Sequence, residues 1–172
     1  RNGSLLQIFA ANDKFDILRI DKLAKEFNQN FIIKSNGDEY QRIEEVKKTN
    51  AKLIIPLRFP PLFEVEDPFD AEQIDLADLK HWELAPYNAS ILEKNNVEFS
   101  CTTNGLKDYK EFLPNLRKAV KLGLSKNKAL AALTIIPAKW MGMEKVIGSL
   151  ASGKWANLLI TNGDLFEEKT QI

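Results

Sequence analysis

Histidine is almost missing from this chain: His81 is the only imidazole among 172 residues. Zinc sites take three or four nitrogen, sulfur or carboxylate ligands, so one imidazole cannot make one alone. A Ser-His-Asp triad would also need a placed nucleophile, and no motif here identifies one. Cysteine is as scarce. Cys101 by itself allows neither an internal disulfide nor a cysteine-built metal cluster. Charge of one sign is not in excess, since Lys plus Arg and Asp plus Glu number 24 each. A general nucleic-acid binder would show a basic excess or stripe, so none is expected as a partner. No stretch approaches the roughly 18 apolar residues of a membrane helix, so no membrane partner is expected either. No charged start leads into an apolar run, so no signal peptide is visible. The start at Arg1, not Met, points to a cut from a longer chain.

What is present reads as a folded α/β chain. Hydrophobic residues make up 44% and charged residues 28%, which argues against disorder. Leu5–Ala10, Asn30–Lys34, Lys52–Leu57 and Val97–Cys101 are short apolar runs of strand length. Between them lie helical patterns. Ile17, Ile20, Leu23, Ala24 and Phe27 share one face of a helix over Phe15–Phe27. Gly37-Asp38 opens a second helix through about Thr49, with Tyr40, Ile43 and Val46 inward. Leu79–Asn95 reads as helical with a break near Pro86, and Lys107–Leu122 as a further helix. Ser125 caps a helix from Lys126 to about Ile136, and Pro137 opens the next helical turn. Apolar runs without alternation suggest strands buried on both faces, as in a parallel sheet covered by helices. The first three strands begin about 22 to 26 residues apart, close to the unit of a (β/α)₈ barrel. Four such units make half a barrel.

The stretch from Leu57 to about Asp75 breaks the rhythm with Pro60, Pro61 and Pro68 among Phe59, Phe63 and Phe69. Proline removes donors and restricts its neighbours, so this is an excursion from a strand end. Two readings stand for it: a lid or pocket wall, or a surface loop pinned by its aromatics.

Several local patterns have plain explanations. Ser125-Lys126-Asn127-Lys128 matches Ser-x-x-Lys, but a capping serine accounts for it. Cys101 lies in an apolar strand and reads as a core residue. His81, beside Trp82 in a helix, reads as a surface or packing residue. Gly148–Gly153 lacks the P-loop pattern and reads as a glycine turn. Asn2-Gly3-Ser4 and Asn88-Ala89-Ser90 read as chance matches to the glycosylation acceptor. Glu44-Glu45, Glu64–Asp67 and Glu167-Glu168 read as solvated faces.

The last forty residues carry the clearest resemblance. Thr134-Ile135-Ile136-Pro137-Ala138-Lys139 is followed by Ile147-Gly148-Ser149-Leu150-Ala151-Ser152-Gly153-Lys154 and then Ala156-Asn157-Leu158-Leu159-Ile160. This order resembles the carboxyl-terminal end of the amidohydrolase superfamily, which includes imidazolonepropionase and dihydroorotase. Ile8–Asn12, with Asp16-Ile17 and Leu23–Phe27, resembles the imidazolonepropionase-type segment whose strand ends in a metal-ligating histidine. Ala10 stands there. Ile32–Gly37, with Glu39-Tyr40, resembles the next strand, which ends in another histidine. Lys34, Ser35, Asn36 and Gly37 stand there. Phe99–Gly105 resembles the last barrel strand, where the family places a metal-ligating, proton-accepting aspartate. Thr103 or Asn104 stands there.

The resemblance implies a partial TIM barrel of about four parallel βα units over residues 1–145. Residues 146–172 would form a segment of the composite β-domain, including a strand at Asn157–Thr161. It implies hydrolysis of non-peptide carbon–nitrogen bonds by zinc-activated water. This chain lacks the donors, since alanine has no donor atom and asparagine takes no proton near neutrality. Two readings follow: a fragment of an amidohydrolase-like enzyme whose missing half brings the first strands, or a non-catalytic barrel-derived module that binds a ligand or partner. In either, this chain alone is expected to be inactive, with a degenerate site, no metal and no catalytic residue. Asn12, Lys34, Asn36, Thr103 and Asn104 are the candidates to line an emptied pocket for a small polar ligand. Half a barrel would also leave two open strand edges. The expected partner is the missing amino-terminal half or a second copy.

Overall fold

The computed structural model of the chain describes residues 6–171. Its sheet has four parallel strands in sequential order: β1 (Gln7–Ala10), β2 (Phe31–Lys34), β3 (Lys52–Pro56) and β4 (Phe99–Thr102). Helix α1 (Lys14–Glu26) joins β1 to β2, and α2 (Ile43–Thr49), after a 3₁₀ turn at Glu39–Arg42, joins β2 to β3. Between β3 and β4 lie α3 (Pro68–Glu72), α4 (Leu76–Leu84), a 3₁₀ turn at Ala85–Tyr87 and α5 (Asn88–Lys94). A 3₁₀ turn at Tyr109–Glu111, α6 (Phe112–Lys121), α7 (Lys126–Leu133) and α8 (Ile135–Trp140) follow β4. Strands joined in sequence by helical crossovers make this part of a (β/α) barrel.

Local chemistry sets the boundaries. The Asp13 carboxylate accepts from the Phe15 and Asp16 N–H groups at 2.8 Å and starts α1. Ser125 Oγ accepts from Lys128 N–H at 3.1 Å and starts α7, so this serine is a cap. Asn28, Asn50 and Asn96 adopt left-handed backbone just past α1, α2 and α5, and Gly123 does so past α6. Asparagine and glycine are the residues that take this conformation at helix ends. Thr134, at φ −127°, separates α7 from α8, so the expected helix through Ile136 stops earlier and Pro137 lies in the first turn of α8.

One face of the sheet carries Ile33, Leu53, Ile55 and Phe99 against Ile17, Ile20, Val46, Leu92, Leu116 and Ala119 of the helices. The opposite face carries Ile32 and Ile54, packed on Ile136 and Trp140. Ser100 Oγ donates to the Ala132 carbonyl at 2.9 Å, and the Trp140 indole donates to Glu98, just before β4. Helices α7 and α8 thus close the amino-terminal end of this inner face. At Gly148 (φ +88°) an added Cβ would lie 2.7 Å from Ala138 Cβ, so the glycine lets the following turn lie against α8. Residues 164–170 fold back, with Phe166 in the main core and Arg117 donating to the carbonyls of Leu165 and Thr170 at 2.9 and 3.1 Å.

Three expectations need correction or bounds. Asn157–Thr161 forms no strand: Leu158, Leu159 and Ile160 are exposed, and no strand among the described residues pairs with them. An extended segment becomes a strand only by sharing backbone hydrogen bonds, and here they are not shared. The apolar face expected for α1 is buried at Ile17 and Ile20 but open at Leu23 and Phe27, because β1 is the sheet's edge and no element among the described residues covers the helix's last turns. Leu5 and the Asn2-Gly3-Ser4 match lie outside the described residues. Asn88-Ala89-Ser90 is buried, with the Asn88 amide donating to Glu39, in keeping with a chance match.

Candidate functional site

With the inner face plugged at its amino-terminal end, its chemistry lies at the carboxyl ends of the strands. Side chains alternate along a strand, so Lys34 points to the same side as Ile32, toward the inner face. Its ammonium donates to Asn104 Oδ1 at 3.2 Å, bridging from the end of β2 across β3 to the loop after β4. Arg58, two residues past β3, donates from Nη2 to Asn36 Oδ1 at 2.9 Å. Gly105 (φ +82°) lies over Arg58; a Cβ there would be 3.0 Å from Nη1. Both cations therefore meet the same dipeptide, Asn104-Gly105.

Among the expected lining residues, Lys34 and Asn104 are in direct contact and Asn36 sits beside them through Arg58. Thr103 is exposed in the turn after β4, where its carbonyl accepts from Leu106 N–H at 3.1 Å. Asn12 stands apart: its N–H donates to Asp16 Oδ2 at 3.0 Å.

Arg58, Phe59 and His81, none of them among the expected lining residues, come together here. With Asn36, Pro60 and Pro61 they line a cleft of about 240 Å³. The excursion after β3 thus forms a wall of the cleft. A residue just past a strand's carboxyl end, as Arg58 is, was the available signal. His81 is half-buried; its ring lies nearly parallel to Tyr40 at 6.1 Å, and the Tyr40 hydroxyl meets Nδ1 at 2.9 Å. Burial raises the Tyr40 phenol above its ordinary range, against the hydrogen bond from Gln41. Gln41 Nε2 donates to that hydroxyl at 3.2 Å, and Lys14 donates to Gln41 Oε1 at 2.7 Å. The chain of contacts runs Lys14, Gln41, Tyr40, His81, and the direction of its last bond follows the tautomer of the ring.

Behind the strand ends lies a buried acid. Glu39 accepts from Gly37 N–H at 3.1 Å and from the Asn88 side-chain amide. Burial pushes its carboxyl above the ordinary value, while hydrogen bonds from Ser35, Asn88 and Gly37 oppose the shift. Cys101, facing the helices, has its thiol pushed up to about 12 by burial, which suits a core residue and not a nucleophile.

This geometry can be set beside known proteins. Residues 87–171 match the model of the amidohydrolase family. The carboxyl-terminal half of the chain belongs to that family. In fold the chain is similar to the crystal structure of an amidohydrolase from Thermotoga maritima MSB8. The TM-score is 0.70 at 21% identity, covering 96% of this chain and 40% of that one. It is also similar to the crystal structure of an uncharacterized protein, with a TM-score of 0.63 at 15% identity and the same coverage. No curated protein matches. At these identities the likeness is one of fold, and the amidohydrolase-like chain spans 40% of the length of the two structures.

The side chains placed at these strand ends are an ammonium, a guanidinium and neutral amides. Ala10, the run Lys34-Ser35-Asn36-Gly37, and Thr103 or Asn104 stand where the resemblance puts ligands, and His81 is engaged with Tyr40. No group of three His, Cys, Asp or Glu residues suited to a metal occurs among the described residues.

Proposed function

We propose that this chain is part of an amidohydrolase-like protein in which these strands no longer hold the catalytic zinc. It serves as a barrel-derived module that binds a small polar ligand and does not hydrolyse one. The imidazolonepropionase-like subtype and its carbon–nitrogen substrate class belong to the parent reading and come from resemblance alone. The observation that carries the proposal is the Lys34–Asn104 hydrogen bond, in which an ammonium from β2 meets the loop after β4. The same two strand ends would otherwise supply metal ligands. The pocket is then built around Lys34, Asn36 and Asn104, with Thr103 in the exposed turn beside Asn104 and Asn12 apart from them.

Metal content tests this. Full chain purified with excess zinc and then desalted is expected to carry far less than one zinc per chain by elemental analysis. About one zinc per chain, lost on Asn104→Ala, would overturn the proposal.

We also propose that the β1 edge is covered by a partner, either the missing half of the barrel or a second copy. Ile8 and Phe9 on β1 and Leu6 just before it are exposed, and Phe27, just past α1, is 63% exposed. An uncovered strand edge with apolar neighbours invites pairing. Light scattering of residues 1–172 alone is expected to show association that grows with concentration. A strict monomer at millimolar concentration counts against a second copy and against exposed-edge pairing.

A further inference from the structure

The strand ends hold two cations whose hydrogen-bond partners are neutral. Among the described residues, every ion pair within 4.0 Å lies elsewhere, and neither Lys34 nor Arg58 has a carboxylate partner. Lysine and arginine have no acceptor, so Asn104 and Asn36 must turn their oxygens toward them. Each amide's NH₂ is thereby left to donate outward. His81, held by the Tyr40 hydroxyl at Nδ1, lines the same cleft. The capacity left over at this mouth is that of donors and positive charge.

The geometry points to a carboxylate-binding site at the mouth, centred on Arg58 with Lys34 beside it, for a ligand of a few heavy atoms. This deepens the binding-module reading and rests on it. Arginine's planar fork matches a carboxylate through two parallel N–H bonds, and Arg58 is oriented for the role by Asn36 and by the close approach of Gly105. Phe59, Pro60 and Pro61 give the apolar wall against which a short carbon chain packs. At about 240 Å³ the cleft suits a molecule of the size of a small dicarboxylate.

Succinate is the probe, titrated calorimetrically into the purified full chain in a chelator-containing, low-salt buffer. Saturable binding is expected, weakening as salt rises. Arg58→Gln is expected to weaken it by about tenfold or more, from the loss of a charge-assisted bidentate contact, and Lys34→Met by a smaller factor. Arg58 is exposed, so its variant tests the site even where Lys34→Met fails to fold, and Arg58→Lys should recover only part of the loss. Equal affinity in wild type and Arg58→Gln overturns the inference. So does tighter binding of inorganic phosphate or choline than of succinate. No succinate binding with zinc far below one per chain overturns this inference alone, whereas stoichiometric zinc overturns the reading beneath it.

Discussion

Glu39→Ala is expected to lower the unfolding free energy by about 2–4 kcal/mol, measured by urea unfolding at pH 7. The residue has no exposed surface. Truncation leaves the Gly37 N–H and one Asn88 amide proton without their acceptor, and each buried donor so orphaned costs about 1–3 kcal/mol. The damage should spread, because Asn88 Oδ1 accepts from Tyr40 N–H at 3.0 Å and Tyr40 holds His81. One carboxylate therefore joins the turn after β2 to the start of α5 and to the cleft wall.

The same group sets a pH dependence. Its folded pKa is raised, chiefly by burial, above the ordinary 4.5. The folded state then binds the proton more tightly than the unfolded state. The group's favourable contribution is fully present below pH 4.5 and is lost as pH rises through the folded value. Relative to Glu39→Gln, which cannot titrate, wild type should gain stability as pH falls from 7 toward 4.5. Paired urea titrations read this as a difference of slopes, which cancels the opposite trend from Asp16, Asp164 and Glu168, whose carboxyls are held low by hydrogen-bonded partners. A flat or reversed difference would show that the hydrogen bonds outweigh burial.

Phe99→Ala should cost more, about 3–5 kcal/mol, as for large-to-small changes in close-packed cores. Phe99 opens β4, is fully buried, and has the Lys128 ammonium 5.2 Å from its ring centroid. Strand β4 ends the sheet, and α7 and α8 pack against its inner face and its start through Ser100, Glu98 and Trp140. Phe27→Ala is the comparison. That side chain is mostly exposed, so its loss should shift stability by no more than about 0.5 kcal/mol in residues 1–172. A large cost for Phe27 in this chain would mean that its edge is already covered in solution, as by self-association.

The contrast between these two phenylalanines shows how far periodicity reaches. Spacing placed Phe27 on the same helical face as Ile17 and Ile20, but it caps the end of α1 and is mostly exposed. Whether that face is covered depends on which elements surround it, and α1 flanks the edge strand. The expected strand at Asn157–Thr161 failed for the same reason. Its residues suit a strand, but a strand exists only with a neighbour to share its hydrogen bonds. Ser125 as a cap was legible because a cap involves residues three apart.

From the amino-acid order alone came the four βα units, the amidohydrolase resemblance and the want of metal-ligating histidines, since these rest on residue types and short spacings. The pairing of Lys34 with Asn104, 70 positions apart, of Arg58 with Asn36, and of His81 with Tyr40 was decided by the fold. So was the burial of Glu39, a residue type otherwise expected in water. A cation's partner, or a buried acid's, is chosen by which strand ends the sheet brings side by side, and no local pattern carries that information.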